Sequence, residues 1–286
     1  MTCAVTGANG FVGGRLKAYL QNHGCRVSEW SRHPGLLANH VNFRLGQEVR
    51  AQDFAGTSAL IHCAYDFSAR TWAEIVAINT RGSEKLLRAA HAARVEHVIF
   101  ISSLSAFAGC RSRYGRAKLE IEVIALSLGA TVIRPGLVYG DQPGGVFGGL
   151  VKQVRQARLI PLLGGGQQPQ YLVHTDDLGQ LIGRCLSGEI GRVPQPITLA
   201  HAEGWPMRKL LTSLGHALNR KVRFVSVPWR LAWLGLKTME TLRLPAPFRS
   251  DSLLGYIFQN PKPDFESARS RKAECRRFEI RPTMLG

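Results

Sequence analysis

The chain has 286 residues, 45% of them hydrophobic and 20% charged, which suits a globular protein with a proper core and excludes collagen-like or wholly disordered chains. Its 37 Lys and Arg against 20 Asp and Glu give a net charge of +17, which favours anionic ligands without choosing among them. The sequence shows no run of about 18 apolar residues, no signal-peptide pattern and no CxxC pair. We therefore expect no membrane span, a cytoplasmic location and reduced thiols.

The first half of the chain alternates β-rich runs with helical patterns. Strands are expected near residues 3–6, 27–30, 41–45, 58–64, 98–102 and 131–133. The clearest helical patterns between them cover 75–93 and 114–128. Steady alternation of strand and helix implies right-handed crossovers and helices on both faces of a parallel sheet. The sequence thus predicts an α/β fold with a Rossmann-type, doubly wound parallel sheet in residues 1–140.

The regular alternation of strand and helix patterns ends after Gly140, and a smaller mixed α/β C-terminal lobe is expected from there on. Its predicted parts are a loop at 141–149, a helix at 150–158, a helix after Pro206 as first-turn proline, a strand at 222–227 and packed helices in 228–260. A strand–helix unit at 170–186 and a strand near 196–199 are assigned back to the first domain, as segment 170–200. Residues 141–169 and 201–286 then form the substrate-binding lobe.

A glycine-rich turn follows the first strand and opens the first helix. Its glycines let the backbone turn sharply, approach a pyrophosphate and pack the helix on the sheet, while the helix N-terminus offers free N–H groups to the phosphate. The alternative is a plain glycine-rich turn. The pattern predicts a dinucleotide site formed by Gly7, Asn9, Gly10, Phe11, Val12 and Gly13.

A tyrosine and a lysine, Tyr114 and Lys118, stand four residues apart at the start of a predicted helix. At that spacing the two side chains share one helix face. A free tyrosine has a pKa of about 10, and a neighbouring ammonium favours the phenolate, so the pair can act as an acid/base near neutral pH. The alternative is an amphipathic helix that carries a surface tyrosine.

The TGxxGxxG turn and the YxxxK pair together resemble the extended, epimerase/dehydratase-like branch of the short-chain dehydrogenase/reductase family. The resemblance implies a serine at the end of the preceding strand that hydrogen-bonds the reacting oxygen. Ser103 is the chosen candidate, and Ser105 is the reserve. The resemblance covers residues 1 to about 200.

Further positions match the same family pattern. The resemblance implies that Cys63 and Ala64 cover the cofactor, that Asn79 lies on a helix beside it, and that the backbone of Pro135 and Gly136 runs along the nicotinamide side. The VHTDDL run at 173–178 resembles the branch's VHVDDL and is interpreted as a structural joint, with Asp176 or Asp177 as a helix N-cap. His174 is not assigned as a metal ligand, and no metal is predicted. Many relatives pair through their two long helices, so a homodimer is also an expectation.

The end of the second strand indicates the cofactor. An NAD site calls for an Asp or Glu there to hold the ribose 2′-hydroxyl. Ser31 occupies that place and leaves room, and the guanidinium of Arg32 suits a 2′-phosphate. We therefore predict NADP(H), with NAD(H) as the alternative if Glu29 reaches the ribose or if Arg32 only faces solvent.

The leading hypothesis is an NADP-dependent oxidoreductase or epimerase of the extended short-chain dehydrogenase type. In it Tyr114 moves the hydroxyl proton, Lys118 lowers the pKa of the phenol and binds the ribose, and Ser103 steadies the oxygen. The resemblance implies an anionic nucleoside-diphosphate sugar as substrate and leaves reductase and epimerase open. The alternatives are a non-catalytic NADP(H)-binding accessory subunit and, least favoured, a nucleic-acid-binding protein, for which no RNA-recognition signature or dense basic helix is present.

Overall fold

The computed structural model describes residues 1–33, 39–245 and 248–286. In chain order the strands are β1 (Thr2–Thr6), β2 (Arg26–Ser31), β3 (His40–Asn42), β4 (Ala59–His62), β5 (His97–Ile101), β6 (Thr131–Pro135), β7 (Leu137–Tyr139), β8 (Leu159–Leu163), β9 (Pro169–Gln170), β10 (Leu172–His174), β11 (Ile197–Leu199), β12 (Trp205–Pro206) and β13 (Arg223–Val227). In the first half of the chain, most strands contain runs of consecutive buried residues, as β1 and β4 do. In the second half they are mostly shorter.

The helices follow the strands in the order that a doubly wound fold requires. They are α1 (Phe11–Asn22), α2 (Trp72–Ile75), α3 (Arg81–Ala92), α4 (Arg113–Ser127), α5 (Gly145–Gln156), α6 (Thr175–Leu186), α7 (Met207–Ala217), α8 (Trp229–Thr241), α9 (Ser250–Ile257) and α10 (Glu266–Arg269). A π-helical stretch, Val76–Thr80, joins α2 to α3, so these three form one continuous helical rod.

Seven parallel strands within the described residues form one sheet in the order β3-β2-β1-β4-β5-β6-β11. Strand order reverses between β1 and β4, where ligands bind in open α/β sheets. The predicted Rossmann-type sheet is confirmed. Its last strand, β11, pairs Ile197 with Ile133 of β6, so the chain returns to the first sheet after an excursion into the second lobe.

Helices cover both faces of the sheet because its strands are apolar on both sides. On one face, Leu16 of α1 and Leu181 of α6 pack over β1 and β5. On the other face, Leu86 of α3 and Ile121 of α4 lie in separate clusters over β4 and β6. The carboxyl ends of β1, β2, β4 and β5 are therefore held at one edge of a rigid layer.

The second lobe is built from three two-stranded pairings, β7 with β10, β8 with β13, and β9 with β12. Helices α5 and α7 cover them, and an aromatic and aliphatic core forms between them around Phe147, Val151, Leu210, Leu214 and Phe278. This arrangement is the mixed α/β lobe that the sequence indicates.

Several local predictions need correction. Helix α5 begins at Gly145, five residues earlier than predicted, because Gly144 ends the loop in an extended conformation against the Phe11 ring. Pro206 lies at the N-cap of α7 rather than in its first turn, since it still pairs with Pro169 in a short ladder. The rod predicted from residue 75 starts at Trp72, where Thr71 and Glu74 form a capping box.

The predicted packed helices of 228–260 are α8 and α9, and residues 246 and 247 of that stretch lie outside the described residues. Among the helices of the described chain, none combines the length and the apolar character needed to cross a bilayer. The six cysteines are all free thiols, which is the state that their wide spacing predicts.

Candidate active site

The glycine turn between β1 and α1 forms the nucleotide end of the site. Gly7 has a left-handed φ of +66°, and a Cβ there would lie 3.0 Å from the Ala64 backbone. The Gly10 N–H donates to the Gly7 carbonyl at 2.8 Å and closes the turn. A side chain at Gly13 would overlap that same carbonyl. The turn therefore packs against the Ala64 backbone and against itself at places that a side chain would block, and it leads directly into the N-terminus of α1, where helix N–H groups suit a pyrophosphate.

A buried hydrogen-bond network lies directly under this turn. The Thr6 hydroxyl accepts from the amides of Cys63 and Ala64 at 3.1 and 3.2 Å, which leaves its own proton for Nδ1 of His62 at 2.7 Å. Nε2 of His62 then donates to the Ser83 hydroxyl at 2.8 Å. Burial, reinforced by the charge of Lys118, lowers the pKa of His62 to about 3, so the ring is neutral. The network joins the ends of β1 and β4 to α3.

The end of β2 places Ser31 beside the glycine turn. The Asn9 side-chain amide donates to the Ser31 hydroxyl at 3.1 Å and to the His33 carbonyl at 2.9 Å. Glu29, the alternative ribose ligand, is fully buried inside the strand and binds Lys17 at 2.7 Å. Glu29 is thus committed to the α1–β2 contact, and the strand ends at Ser31, which is the register assumed for NADP(H).

Arg32 follows Ser31 and is more than half exposed at the rim of the cleft. Its guanidinium lies 3.7 Å from the carboxylate of Asp66, which belongs to the segment after β4. Although burial alone acts in the opposite direction, hydrogen bonds from Ser68 and the charge of Arg32 lower the pKa of Asp66. A 2′-phosphate at this place would have to share Arg32 with that carboxylate.

Asn79 binds the backbone of Asp66 in the wall of the cleft. It is fully buried in the π-helical stretch, its side-chain oxygen accepts from the Asp66 amide at 2.7 Å, and its side-chain nitrogen donates to the Asp66 carbonyl at 3.1 Å. Both polar atoms are therefore used within the protein. These two hydrogen bonds hold Asp66 and the segment before it against the helical rod, and a contact of Asn79 with the cofactor stays a prediction.

Tyr114 and Lys118 share the face of α4 that is turned toward the end of β5, as their spacing predicts. Lys118 is 3% exposed, and its Nζ donates to the Ile101 carbonyl at 2.8 Å. The Ser103 hydroxyl interacts with the Tyr114 phenol and accepts from the Ser105 amide at 3.1 Å. Ser103, and not Ser105, is thus the serine that faces the phenol.

The pKa of Tyr114 moves in the direction opposite to the one that its spacing from Lys118 predicts. Burial raises this pKa to about 12, and the hydrogen bond with Ser103 offsets only part of the shift. Lys118 Nζ is 6.0 Å from the Tyr114 ring and is committed to a main-chain carbonyl. Burial also lowers the pKa of Lys118 to about 8, against the opposing effects of Cys63 and Glu122. The phenol is therefore protonated at neutral pH, beside a charged lysine.

An aromatic cluster forms the outer wall of the site. The Tyr65 and Phe67 rings lie 4.9 and 5.8 Å from the Tyr114 ring. Phe67 is 64% exposed, so it presents an apolar surface at the mouth of the cleft. No sequence pattern marks these two side chains, since they lie in an irregular segment that is positioned by distant residues, among them Asn79 and Arg249.

The second lobe also reaches the catalytic helix. The Asp251 carboxylate of α9 accepts from the amides of Arg113 and Tyr114 at 2.7 and 3.1 Å, at the N-terminus of α4. Arg249 donates to the carbonyls of Phe67 and Ala69 at 2.9 and 2.7 Å. A negative charge at a helix N-terminus is stabilising. No local signal marks Asp251, because it lies 137 residues from Tyr114.

The remaining predicted positions line the rear and the entrance of the cleft. The Pro135 carbonyl accepts from the Leu104 amide at 3.1 Å, and Gly136 donates to the Leu199 carbonyl at 3.0 Å, so the RPG turn is held between the segment after β5 and β11 of the same sheet. Phe11 lies at the first position of α1 against the loop before α5, and Val12 packs on the sheet core.

The VHTDDL run forms the start of α6. The N-cap is His174, whose Nδ1 accepts from the Asp176 amide at 3.1 Å, so neither Asp176 nor Asp177 fills that position. Within the described residues, His174 also groups with Asp141 and Asp176 at the spacing of a metal site. Because Nδ1 accepts an N–H, the proton of the neutral ring is on Nε2, which lies 3.6 Å from the Asp141 carboxylate and has no hydrogen-bond partner within the described residues. This tautomer offers no lone pair to a metal at Nε2.

Comparison with known proteins places this site in context. The model of the NAD dependent epimerase/dehydratase family matches residues 3–193. The uncharacterized protein y4nG of Sinorhizobium fredii is 25% identical over 252 residues, 79% of this chain, and the match spans only 63% of that relative's length. The ceramide reductase of Caulobacter vibrioides is 27% identical over 235 residues, 79% of this chain and 73% of the relative. The solved structure of MoeE5 with UDP-glucuronic acid and NAD has a TM-score of 0.68 at 18% identity, over 94% of this chain and 99% of that one.

Proposed function

The chain belongs to the NAD-dependent epimerase/dehydratase family, and from this premise we propose that it is an NADP(H)-dependent oxidoreductase acting at a carbinol or carbonyl carbon. The observation that carries the proposal is the grouping of Ser103, Tyr114 and Lys118 at the carboxyl edge of the sheet, beside the glycine turn. A bound nicotinamide dinucleotide supplies the hydride. The chain's own groups supply the proton and hold the reacting oxygen.

The protonation states favour reduction as the direction. The Tyr114 phenol is protonated at neutral pH, and burial raises its pKa further, to about 12, so it is suited to donate a proton to a carbonyl oxygen as that oxygen gains charge. Ser103 offers a second hydrogen bond to the same oxygen. Lys118 carries its charge up to a pH of about 8 and stabilises negative charge near the phenol. Net reduction therefore ranks ahead of epimerisation in the proposal.

The proposed cofactor contacts follow the cleft from one end to the other. Gly7, Gly10 and Gly13 with the first turn of α1 (Phe11 and Val12) would hold the pyrophosphate, and Asn9, Ser31 and Arg32 the adenosine end. Cys63, Ala64, Pro135 and Gly136 would line the remainder, over the floor that Asn79 fixes. The burial of Glu29, which binds Lys17 through one carboxylate oxygen, supports NADP(H) over NAD(H), because it keeps this carboxylate inside the strand.

We infer that residues 1–140 and 170–200 bind the cofactor and that 141–169 and 201–286 bind the substrate. A nucleoside-diphosphate sugar is the first candidate substrate, supported by the positive charge of the chain and by the ligand of MoeE5. A lipophilic carbonyl compound is the second. It is favoured by the exposed Phe67 ring beside Tyr114 and by the ceramide reductase among the relatives.

The test of the catalytic group is Tyr114→Phe, which removes one hydroxyl and keeps the ring contacts with Tyr65 and Phe67. NADPH fluorescence should report unchanged cofactor binding, while turnover of a carbonyl substrate from sugar-nucleotide and lipid ketone panels should fall by about 100-fold or more. Tyr256→Phe is the matched control, since its buried hydroxyl has no partner in the described chain. Full activity of Tyr114→Phe would show that the proposed mechanism is wrong.

The cofactor preference is tested separately. Arg32→Ala should weaken NADPH binding by about tenfold and leave NADH binding unchanged, because the 2′-phosphate is the one part of the cofactor that the guanidinium is proposed to bind. Asp66→Asn should have the opposite effect on NADPH, since it removes the carboxylate that shares Arg32. Equal effects on both cofactors would overturn the NADP(H) assignment.

A non-catalytic accessory subunit remains the alternative function. It would bind NADPH and show no turnover on any panel, with or without Tyr114. A nucleic-acid-binding protein would instead shift labelled oligonucleotides and give no NADPH fluorescence signal. The homodimer through α3 and α4 is still an expectation, which the mass in solution tests directly.

A further inference from the structure

Within the described residues, helix α8 leaves an apolar face uncovered. Leu231 and Leu234 of α8 and Leu242, the residue that caps its C-terminus, are 64%, 57% and 62% exposed, and their spacing of three and eight residues places them on one side of the helix. The opposite side is the packed one, since Leu236 is buried and the Trp229 ring meets Phe258 at 5.3 Å. A soluble surface helix normally reserves that exposed side for polar residues.

The surroundings of this face are strongly basic. Residues 220–249 contain seven Lys and Arg, and Glu240 is the one acidic residue among them. Glu240 is itself occupied by the amide and hydroxyl of Ser250, both at 2.8 Å. Arg230 and Arg243 are exposed at the two ends of the helix. Lys237 pairs with Glu240 at 3.8 Å, and the six other cations leave a net positive charge beside the leucines, which matches the chemistry of an anionic lipid surface.

We propose that the exposed face of α8 docks the protein on an anionic lipid bilayer. The helix would lie in the plane of the interface, with Leu231, Leu234 and Leu242 among the acyl chains and the basic residues at the headgroups. A second copy of the chain fits this face less well, because a two-fold contact would bring both sets of basic residues together.

Docking by α8 would bring the catalytic cleft close to the membrane. Helix α8 packs on α9, whose Asp251 binds the N-terminus of the catalytic helix α4. Arg249, just before α9, binds the carbonyl of Phe67, the exposed aromatic residue at the mouth of the cleft. The exposed face of α8 and the mouth of the cleft are thus connected through α9 and Arg249, which bond directly to α4 and to the Phe67 backbone. The inference stands on the leucine face and its charge, and does not depend on the identity of the substrate.

The test is co-sedimentation of the full chain with vesicles of phosphatidylcholine alone or mixed with phosphatidylglycerol. Wild type should bind the anionic vesicles at low salt and lose binding to pure phosphatidylcholine. The triple variant Leu231→Gln/Leu234→Gln/Leu242→Gln should bind the anionic vesicles at least about tenfold more weakly, since glutamine keeps the helix propensity and removes the apolar contact. Leu159→Gln, which alters a leucine 54% exposed on β8, is the matched control and should bind as wild type.

Two further measurements distinguish lipid binding from a folding defect and from self-association. Arg230→Gln/Arg243→Gln retains every leucine and should weaken binding to anionic vesicles by about tenfold, so a folding defect of the triple variant cannot decide the result. Sedimentation velocity without lipid measures the oligomeric state. No binding of wild type to anionic vesicles, or equal binding by the triple variant, overturns the proposal. A wild-type dimer that becomes monomeric in the triple variant, with no vesicle binding, would assign the face to a second copy instead.

Discussion

Replacing Lys118 with methionine is expected to stabilise the protein while removing its activity. Lys118 is almost fully buried, and burial lowers the pKa of its ammonium from 10.5 to about 8. The charged form is therefore less favourable in the folded chain than in the unfolded chain. One pKa unit corresponds to about 1.4 kcal/mol, so the penalty at neutral pH is about 3 kcal/mol.

Methionine removes this penalty because it has a similar length and carries no charge. The substitution also has a cost, since the Ile101 carbonyl loses its donor at 2.8 Å and the ammonium no longer lies over the Phe100 ring at 4.6 Å. These two losses amount to about 1–2 kcal/mol. We therefore expect a net gain of about 1–2 kcal/mol, or a melting temperature higher by about 2–6 °C.

The stability gain of Lys118→Met should decrease as the pH rises. Between about 8 and 10.5, the unfolded wild-type chain binds more protons at this lysine than the folded chain does, so wild-type stability rises relative to the variant. The penalty is present in full below that window and disappears above it, where the variant should be the less stable protein because it still lacks the contacts of Lys118. Urea unfolding of both proteins at a pH of about 7 and of about 10 measures it.

Lys85→Met provides the control, because Lys85 is an exposed lysine paired with Glu48. It should show neither the gain nor the pH dependence. The reasoning would be refuted if Lys118→Met were less stable than wild type at neutral pH, or if the difference between them were the same at both pH values. Activity is expected to be lost in Lys118→Met and kept in Lys85→Met.

Other contacts around the site give three more expected outcomes. Asp251→Ala leaves two amides of α4 without an acceptor and should lower kcat more than it raises KM, with a melting temperature lower by about 2–6 °C; an unchanged kcat would contradict this. Glu122→Ala leaves the Arg134 guanidinium without its carboxylate and should cost about 3 kcal/mol in urea unfolding, against a smaller loss for Glu122→Gln. Gly13→Ala should abolish NADPH fluorescence enhancement, whereas Gly149→Ala, which faces open space, should not.

Features that depend on neighbours in the chain could be predicted from the sequence alone. The glycine turn, the first six strands and the placement of Tyr114 and Lys118 on one face of α4 all result from signals within a single strand–turn–helix unit. Backbone sterics act locally at Gly7, and helical periodicity acts over one turn at Tyr114. The parallel sheet follows from the same local alternation, because right-handed crossovers leave few other topologies.

Properties that depend on packing were decided by the tertiary structure. The raised pKa of Tyr114 arises from burial among groups of distant segments, and the spacing to Lys118 predicts the opposite shift. Asn79 bonds Asp66, thirteen residues away, across a loop without periodic pattern. Asp251 reaches the amide of Tyr114 from the far end of the chain. Composition and spacing determine which groups a helix or turn presents. The dielectric environment of each group and its hydrogen-bond partner are set by tertiary packing, which brings distant segments together.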